Sequence, residues 1–126
     1  MNPMKHLKLI ALLAFLPFVA QAHHSFAIYD SAHQVTIEGT VKEFQWTNPH
    51  VWIHVMVKND KGVEEEWNVE CTSVNFLARR GWSKQTFKPG DKVSITLSPL
   101  RDGSQGGSFR TVNNINGAVP KFEAEE

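Results

Sequence analysis

The amino-acid sequence predicts an all-β domain with one short helix, in which five strands close into a small barrel. Apolar and polar residues alternate in several short stretches, and turns rich in glycine, proline or asparagine separate them. The stretch at residues 73–81 has helical spacing instead, and it lies between the third and fourth predicted strands. Three strands, a helix and two more strands is the element order of an OB-fold barrel. A five-stranded sheet or sandwich covered by one helix is the alternative.

The first two predicted strands are joined by a turn at Thr47–Pro49. Residues 35–44 alternate, and Gly39 within them indicates a bulge or a sharp bend. In the second strand, valine or isoleucine occupies every second position from 51 to 57, which predicts a side that faces the core. The opposite side carries two imidazoles, an indole and a thioether, at His50, Trp52, His54 and Met56. A functional site is expected near this second set.

The remaining elements follow a turn at residues 59–62. Residues 64–71 form a third alternating strand, and a helix capped by Thr72 or Ser73 precedes Gly81, the expected C-terminal capping glycine. The fourth and fifth strands are predicted at 93–97 and 109–115, with a flexible loop at 102–107 between them. The barrel domain then covers residues 35–120, after an extended arm at 23–34. The charged tail at 121–126 is expected to fray.

The first 22 residues have the pattern of a secretory signal peptide. Lys5 and Lys8 precede an apolar run of about 12 residues, too short to span a bilayer, and Ala20-Gln21-Ala22 matches a cleavage signature. Cleavage after Ala22 predicts a periplasmic protein with no stable membrane anchor. Its mature chain would begin at His23.

The charge balance of the mature chain argues against a nucleic-acid partner. The full sequence has 13 basic and 13 acidic residues, and removal of Lys5 and Lys8 leaves a net charge near −2. A nucleic-acid-binding domain normally carries a basic stripe. The single cysteine, Cys71, has no intramolecular partner, and its place in an alternating strand predicts burial.

Four segments together resemble a family of small periplasmic proteobacterial proteins that is catalogued as a domain of unknown function. They are HHSF at 23–26, GTVKEFQWTNPHVWIHV at 39–55, SVNFLARRGW at 73–82 and KPGDKVSI at 88–95. The resemblance covers nearly all of the mature chain. It implies export and a compact β-barrel, and it brings no activity, cofactor or protein partner. Cys71 departs from the family pattern, so the resemblance does not make it a site residue.

Copper binding is the most concrete functional hypothesis that the sequence supports. After cleavage, His23 would offer its α-amine and Nδ1 as a chelating pair, and His24 would add a second imidazole. His50 and His54 are about 13 Å apart along a strand, so only one of them can complete the same site. His54 is the expected ligand, because it is central in the strand and Met56 follows on the same side. Amine, imidazole and thioether donors favour copper over calcium or magnesium.

The alternative is a binding module for a glycan, a peptide or another small ligand. OB barrels bind ligands across their second and third strands. Tryptophans could form an aromatic platform there, and two arginines could hold an anionic group. The candidate ligand-binding residues are Trp46, Asn48, Trp52, Trp67, Arg79, Arg80 and Trp82.

Catalysis is not expected. The sequence has no nucleophile elbow, and its single cysteine cannot form the C-x-x-C motif of thiol exchange or the C-x-x-C-H motif of haem attachment. No residue is therefore assigned a catalytic role, and we expect a binding protein rather than an enzyme.

Overall fold

A computed structural model of the chain describes residues 27–126. The predicted signal peptide and the predicted ligands His23 and His24 lie outside the described residues. Within them, the elements are β1 (Val35–Gln45), β2 (Trp52–Lys58), β3 (Glu64–Glu70), α1 (Val74–Arg79), β4 (Lys92–Pro99) and β5 (Gly106–Ile115).

The five strands form a closed barrel in the order β1-β2-β3-β5-β4, and the pairing of β4 with β1 closes it. The β3–β5 pair is parallel, and the other pairs are antiparallel. With a helix between β3 and β4, this topology confirms the predicted OB-type barrel. Closure excludes the open sheet and the sandwich.

The interior of the barrel is filled by the alternating apolar residues. In β2, Ile53 and Val55 are completely buried, as is Val51 just before the strand. Cys71 is buried among them, which confirms that prediction. Because neighbouring side chains in a strand point to opposite faces, this packing leaves the other side of β2 on the outer surface of the barrel.

A close contact between strands explains Gly39. A Cβ atom at this position would lie 2.2 Å from the carbonyl oxygen of Met56 and 2.9 Å from Cγ1 of Val55. Gly39 therefore allows the two backbones to approach. The bulge itself lies further along β1, between Val41 and Glu43.

The helix α1 begins and ends where the sequence predicts. Ser73 is the N-cap, and its hydroxyl accepts a hydrogen bond from the backbone N–H of Phe76 at 3.4 Å. Gly81, with φ of +90°, follows the C-cap residue Arg80. Leu77 is buried and attaches the helix to the barrel.

The tail at 121–126, which the sequence predicts to fray, is instead held against the barrel. Phe122 packs against Trp82, with ring centroids 5.2 Å apart, and the backbone carbonyl of Glu123 accepts a hydrogen bond from the indole N–H of Trp82 at 2.7 Å. Ala124 and Glu126 then form backbone hydrogen bonds with β5. The tail is therefore held beside β5, where Thr111 and Glu125 form an isolated antiparallel β-bridge.

The start of β5 also differs from the sequence prediction. Gly106 and Gly107, predicted to lie in a flexible loop, are the first residues of the strand. A Cβ atom on Gly107 would lie 2.2 Å from the carbonyl oxygen of Ser98 on β4. These glycines belong to the strand because β5 comes very close to its neighbours where it pairs with both β3 and β4.

Candidate functional site

The polar side of β2 faces outward, as predicted. We call its four residues the outer row: His50, Trp52, His54 and Met56. Each is partly exposed, whereas the residues between them are buried. On β3, Glu70 lies opposite Trp52, Asn68 opposite His54 and Glu66 opposite Met56. The outer row therefore lies beside two carboxylates and an amide.

His50 is linked to the N-terminal arm through one carboxylate. Its Nδ1 contacts Oε1 of Glu70, and Oε2 of the same carboxylate accepts a hydrogen bond from the hydroxyl group of Tyr29. The His50 side chain is 42% exposed and that of Glu70 is 15% exposed. A largely buried acid thus contacts an accessible imidazole on one side and the arm on the other.

The arm reaches Glu70 because it lies along the end of β4. The backbone N–H of Asp30 donates to the carbonyl of Pro99 at 2.8 Å, and the carbonyl of Ile28 accepts from the N–H of Arg101 at 2.9 Å. Tyr29, between these contacts, is 7% exposed. Burial, together with the hydrogen bond to Glu70 and its charge, raises the pKa of Tyr29 far above the ordinary value, so the hydroxyl remains a donor.

A small cavity of about 120 Å³ opens beside these groups. Its lining consists of Tyr29, His50, Glu70, Cys71, Thr72, Ser108 and Glu126. Burial, reinforced by the negative charges of Glu126 and Glu70, raises the pKa of the Cys71 thiol, so this cysteine stays protonated and unreactive. It serves as a small apolar residue on the cavity wall.

Glu126 brings a second carboxyl group to the same cavity. One of its oxygens accepts a hydrogen bond from the backbone N–H of Thr72 at 2.7 Å. Burial of the carboxyl group raises the pKa of Glu126 to about 7. The hydrogen bond from Thr72 and the positive charges of Arg110 and Arg80 oppose this rise and do not cancel it.

His54 has different surroundings. Its Nδ1 is 2.5 Å from the side-chain oxygen of Asn68 and 3.5 Å from a carboxylate oxygen of Glu66, which also pairs with Lys42 at 2.5 Å. The ring stacks on Trp52, with centroids 6.4 Å apart and planes at 13°. Its side chain is only 15% exposed, and its Nε2 is buried without a partner among residues 27–126. His50 and His54 therefore interact with different acids.

The four tryptophans do not come together as a platform. Trp52 is the one on the outer row. Trp46 packs on Phe44 at the edge of the core, Trp67 packs against the core from β3, and Trp82 is 3% exposed within it.

The other predicted ligand-binding residues have local structural contacts. The side-chain oxygen of Asn48 accepts a hydrogen bond from the backbone N–H of Val74 at 3.1 Å, at the start of α1. Arg80 lies over the ring of Phe76, 4.0 Å from its centroid, and 3.5 Å from a carboxylate oxygen of Glu123. Arg79 is exposed in the last turn of α1.

A family profile with the description "Family of unknown function (DUF6152)" matches residues 11–110, most of the chain. The protein belongs to this family. No curated protein gives a significant match. Among solved structures, the chain is similar to mitochondrial single-stranded DNA binding protein Rim1 from S. cerevisiae. The identity is 10% and the TM-score 0.49, over 66% of this chain and 92% of that one.

Across residues 27–126, no three His, Cys, Asp or Glu side chains are grouped so that they could hold a metal ion. No helix in that same range has the length and apolar character needed to cross a membrane.

Several residues of the site were not selected from the sequence. The register of the β2–β3 hairpin would have indicated Glu70. A turn that pairs Lys58 with Glu64 also places Glu70 opposite Trp52, beside His50. The alternation in the tail sequence Lys-Phe-Glu-Ala-Glu-Glu could have indicated a strand that brings Glu126 to the barrel. Tyr29 had no such signal, since the arm has no periodicity.

Proposed function

We propose that this protein is exported to the periplasm, is not an enzyme, and binds copper through His23, His24 and His50 of the mature chain. One observation supports the choice of residues: Glu70 contacts both His50 and the arm residue Tyr29. The arm that would begin with the chelating His23 is therefore attached beside an accessible imidazole.

The length of the arm is compatible with this site. His23 precedes Tyr29 by six residues, and six residues of extended chain span at most about 20–22 Å. This length is the basis on which the α-amine and Nδ1 of His23 are proposed as ligands together with His50. An α-amine with imidazole nitrogens is a donor set that binds Cu(II) well and binds calcium or magnesium poorly.

The geometry favours His50 as the strand ligand over His54, which the sequence had favoured. His50 is more exposed and lies beside the arm, whereas His54 is largely covered and its Nδ1 faces Asn68. Met56, opposite Glu66 at the far end of the outer row, is not part of the proposed ligand set.

The proposal includes no nucleic-acid partner and gives the aromatic platform second place. Glu66 and Glu70 lie on the outer side of β3, where carboxylates would repel phosphate groups. A platform would require several exposed rings, and Trp52 is the one tryptophan on the outer row. A small ligand held by Trp52 becomes the leading alternative if the copper titration below overturns the copper proposal.

The test begins with the mature protein purified from the periplasm. Mass spectrometry should show a chain that starts at His23. Calorimetric titration with Cu(II) then compares this protein with a form that has one added residue before His23, and with His50→Ala and His54→Ala. The added residue converts the α-amine to an amide, which does not ligate without losing its proton, so binding should weaken severely.

His50→Ala should weaken Cu(II) binding as well, and His54→Ala is the matched control that should leave it nearly unchanged. A mature chain that starts elsewhere, or equal affinity in the extended form, would overturn the copper proposal. If His54→Ala alone weakens binding, the strand ligand is His54, as the sequence predicts, and not His50.

A further inference from the structure

Glu70 uses both of its carboxylate oxygens, and each has a different partner. Oε1 faces Nδ1 of His50, and Oε2 accepts the hydroxyl proton of Tyr29. An ionised carboxylate can only accept hydrogen bonds. Nδ1 of His50 is therefore the donor in this contact, and in the neutral form of the ring this arrangement leaves the lone pair on Nε2.

We infer that Glu70 is a positioning residue, which holds His50 in the tautomer that binds a transition-metal ion through Nε2, while Tyr29 fixes the orientation of Glu70. This inference rests on the proposed function and assigns a role to two residues outside the ligand set. Metal-bound histidines commonly donate their second ring N–H to a carboxylate, which fixes the ring and makes the ligating nitrogen more basic.

The exposure of the two side chains fits this role. Glu70 is 15% exposed, so its orientation is restricted, whereas His50 is 42% exposed and accessible from solution. Tyr29 is buried and held by backbone contacts on both sides, at Ile28 and Asp30, so its hydroxyl is a fixed donor. The backbone on both sides of Tyr29 is bound to the end of β4, the Tyr29 hydroxyl holds Glu70, and Glu70 contacts the accessible ring of His50.

The charge of the cavity also fits a cation. Two carboxyl groups, those of Glu70 and Glu126, are among its lining residues, and no lysine or arginine is among the described residues that line it. His54 provides an internal comparison. Its Nδ1 is closer to the neutral amide of Asn68 than to the carboxylate of Glu66, which is itself paired with Lys42.

The tautomer can be measured without any metal. Nitrogen-correlated NMR of the histidine rings, at a pH of about 8 where imidazole is neutral, should show the proton of His50 on Nδ1 in the mature protein. Glu70→Ala should move it toward Nε2, because Nδ1 loses its acceptor. Tyr29→Phe should give an intermediate result, and Glu66→Gln, which removes a carboxylate from the same side of β3, should leave His50 unchanged.

The effect on binding is measured by competition titration with Cu(II) alone. Glu70→Ala should lower the affinity by about 10–100-fold. Glu70→Gln keeps an oxygen that can accept from Nδ1, so it should recover part of this loss, and it replaces Glu70→Ala if that variant does not fold. Glu66→Gln should bind like the wild type.

The outcomes separate the two proposals. A wild-type protein whose Cu(II) binding does not depend on the free α-amine of His23 overturns the proposed function, and the metal role of Glu70 with it. Normal amine-dependent binding that is unchanged in both Glu70 variants overturns the inference alone. An Nε2-protonated His50 in the wild type also overturns it, whatever the affinity.

Discussion

Tyr29 and Glu70 are 41 residues apart in the sequence, and a hydrogen bond between their side chains joins the N-terminal arm to β3. The contact is made at the edge of the outer row, where Glu70 also meets His50. Tyr29 is therefore attached to the β2–β3 side of the barrel, the side on which OB barrels bind ligands. Glu70 thus contacts both the arm, through Tyr29, and the outer row, through His50.

The stability of the barrel should depend strongly on the inward side of β2. Ile53→Ala should lower the free energy of unfolding by about 2–5 kcal/mol, because Ile53 is completely buried and truncation leaves a cavity. Lys58→Ala, at the exposed end of the same strand, should change it by less than about 0.5 kcal/mol. Chemical denaturation measures both. Equal effects would mean that the two sides of β2 are assigned incorrectly.

Gly39 should not tolerate a side chain. Gly39→Ala would place Cβ 2.2 Å from the carbonyl oxygen of Met56, so β1 and β2 must separate locally. We expect a loss of about 1–3 kcal/mol, the usual cost of forcing extra atoms into a packed site. Glu38→Ala, at the exposed neighbouring position, is the control and should stay within about 0.5 kcal/mol. A neutral Gly39→Ala would contradict the close approach of the strands.

The sequence predicted the barrel well because the fold depends on local patterns. The alternation of Val51, Ile53 and Val55, the cap at Ser73 and the glycine at 81 are all visible within a few residues. The alternation also places Trp67 with Val69 on the inner side, opposite to the side of Trp52 on the neighbouring strand. The alternation alone is therefore enough to reject a common platform of these two tryptophans.

The arrangement of the site was less predictable because it depends on contacts between distant segments. Strand alternation places His50 and His54 on one side and does not distinguish them. The distinction comes from Tyr29, whose position follows from backbone pairing with the end of β4. The tail was predicted incorrectly for a related reason: its charged residues suggested solvation, while Phe122 and Ala124 supply the apolar contacts that hold it.

The contact between the tail and the barrel can be tested at Phe122. Its ring packs edge-on against Trp82, and Phe122→Ala should lower the free energy of unfolding by about 1–3 kcal/mol, less than the roughly 3–5 kcal/mol typical of a fully buried phenylalanine. Lys121→Ala, at the exposed adjacent position, should have almost no effect. Hydrogen exchange of the Val112 amide, which donates to Ala124, should accelerate in Phe122→Ala. Unchanged exchange and stability would show that the tail is not held in solution.

The carboxyl group of Glu126 should make stability depend on pH in an unusual direction. Burial raises its pKa from 4.5 to about 7, so between these values the folded protein binds a proton that the unfolded chain has lost. Stability linked to this proton is complete below about pH 4.5 and is lost as the pH rises through about 7. Glu126→Gln should abolish this dependence, because its amide does not titrate and its oxygen can still accept from Thr72.

The measurement is the difference in free energy of unfolding between wild type and Glu126→Gln at several pH values. This difference should fall steadily from about pH 4.5 to about 7 and then remain constant, since groups such as Asp30, whose pKa is lowered by His33, are common to both proteins and cancel. Glu125→Gln removes the same charge from the neighbouring residue, which does not line the cavity, and is the matched control. A difference that is flat across this range, or that rises with pH, would show that the carboxyl group of Glu126 is hydrated rather than enclosed beside Thr72.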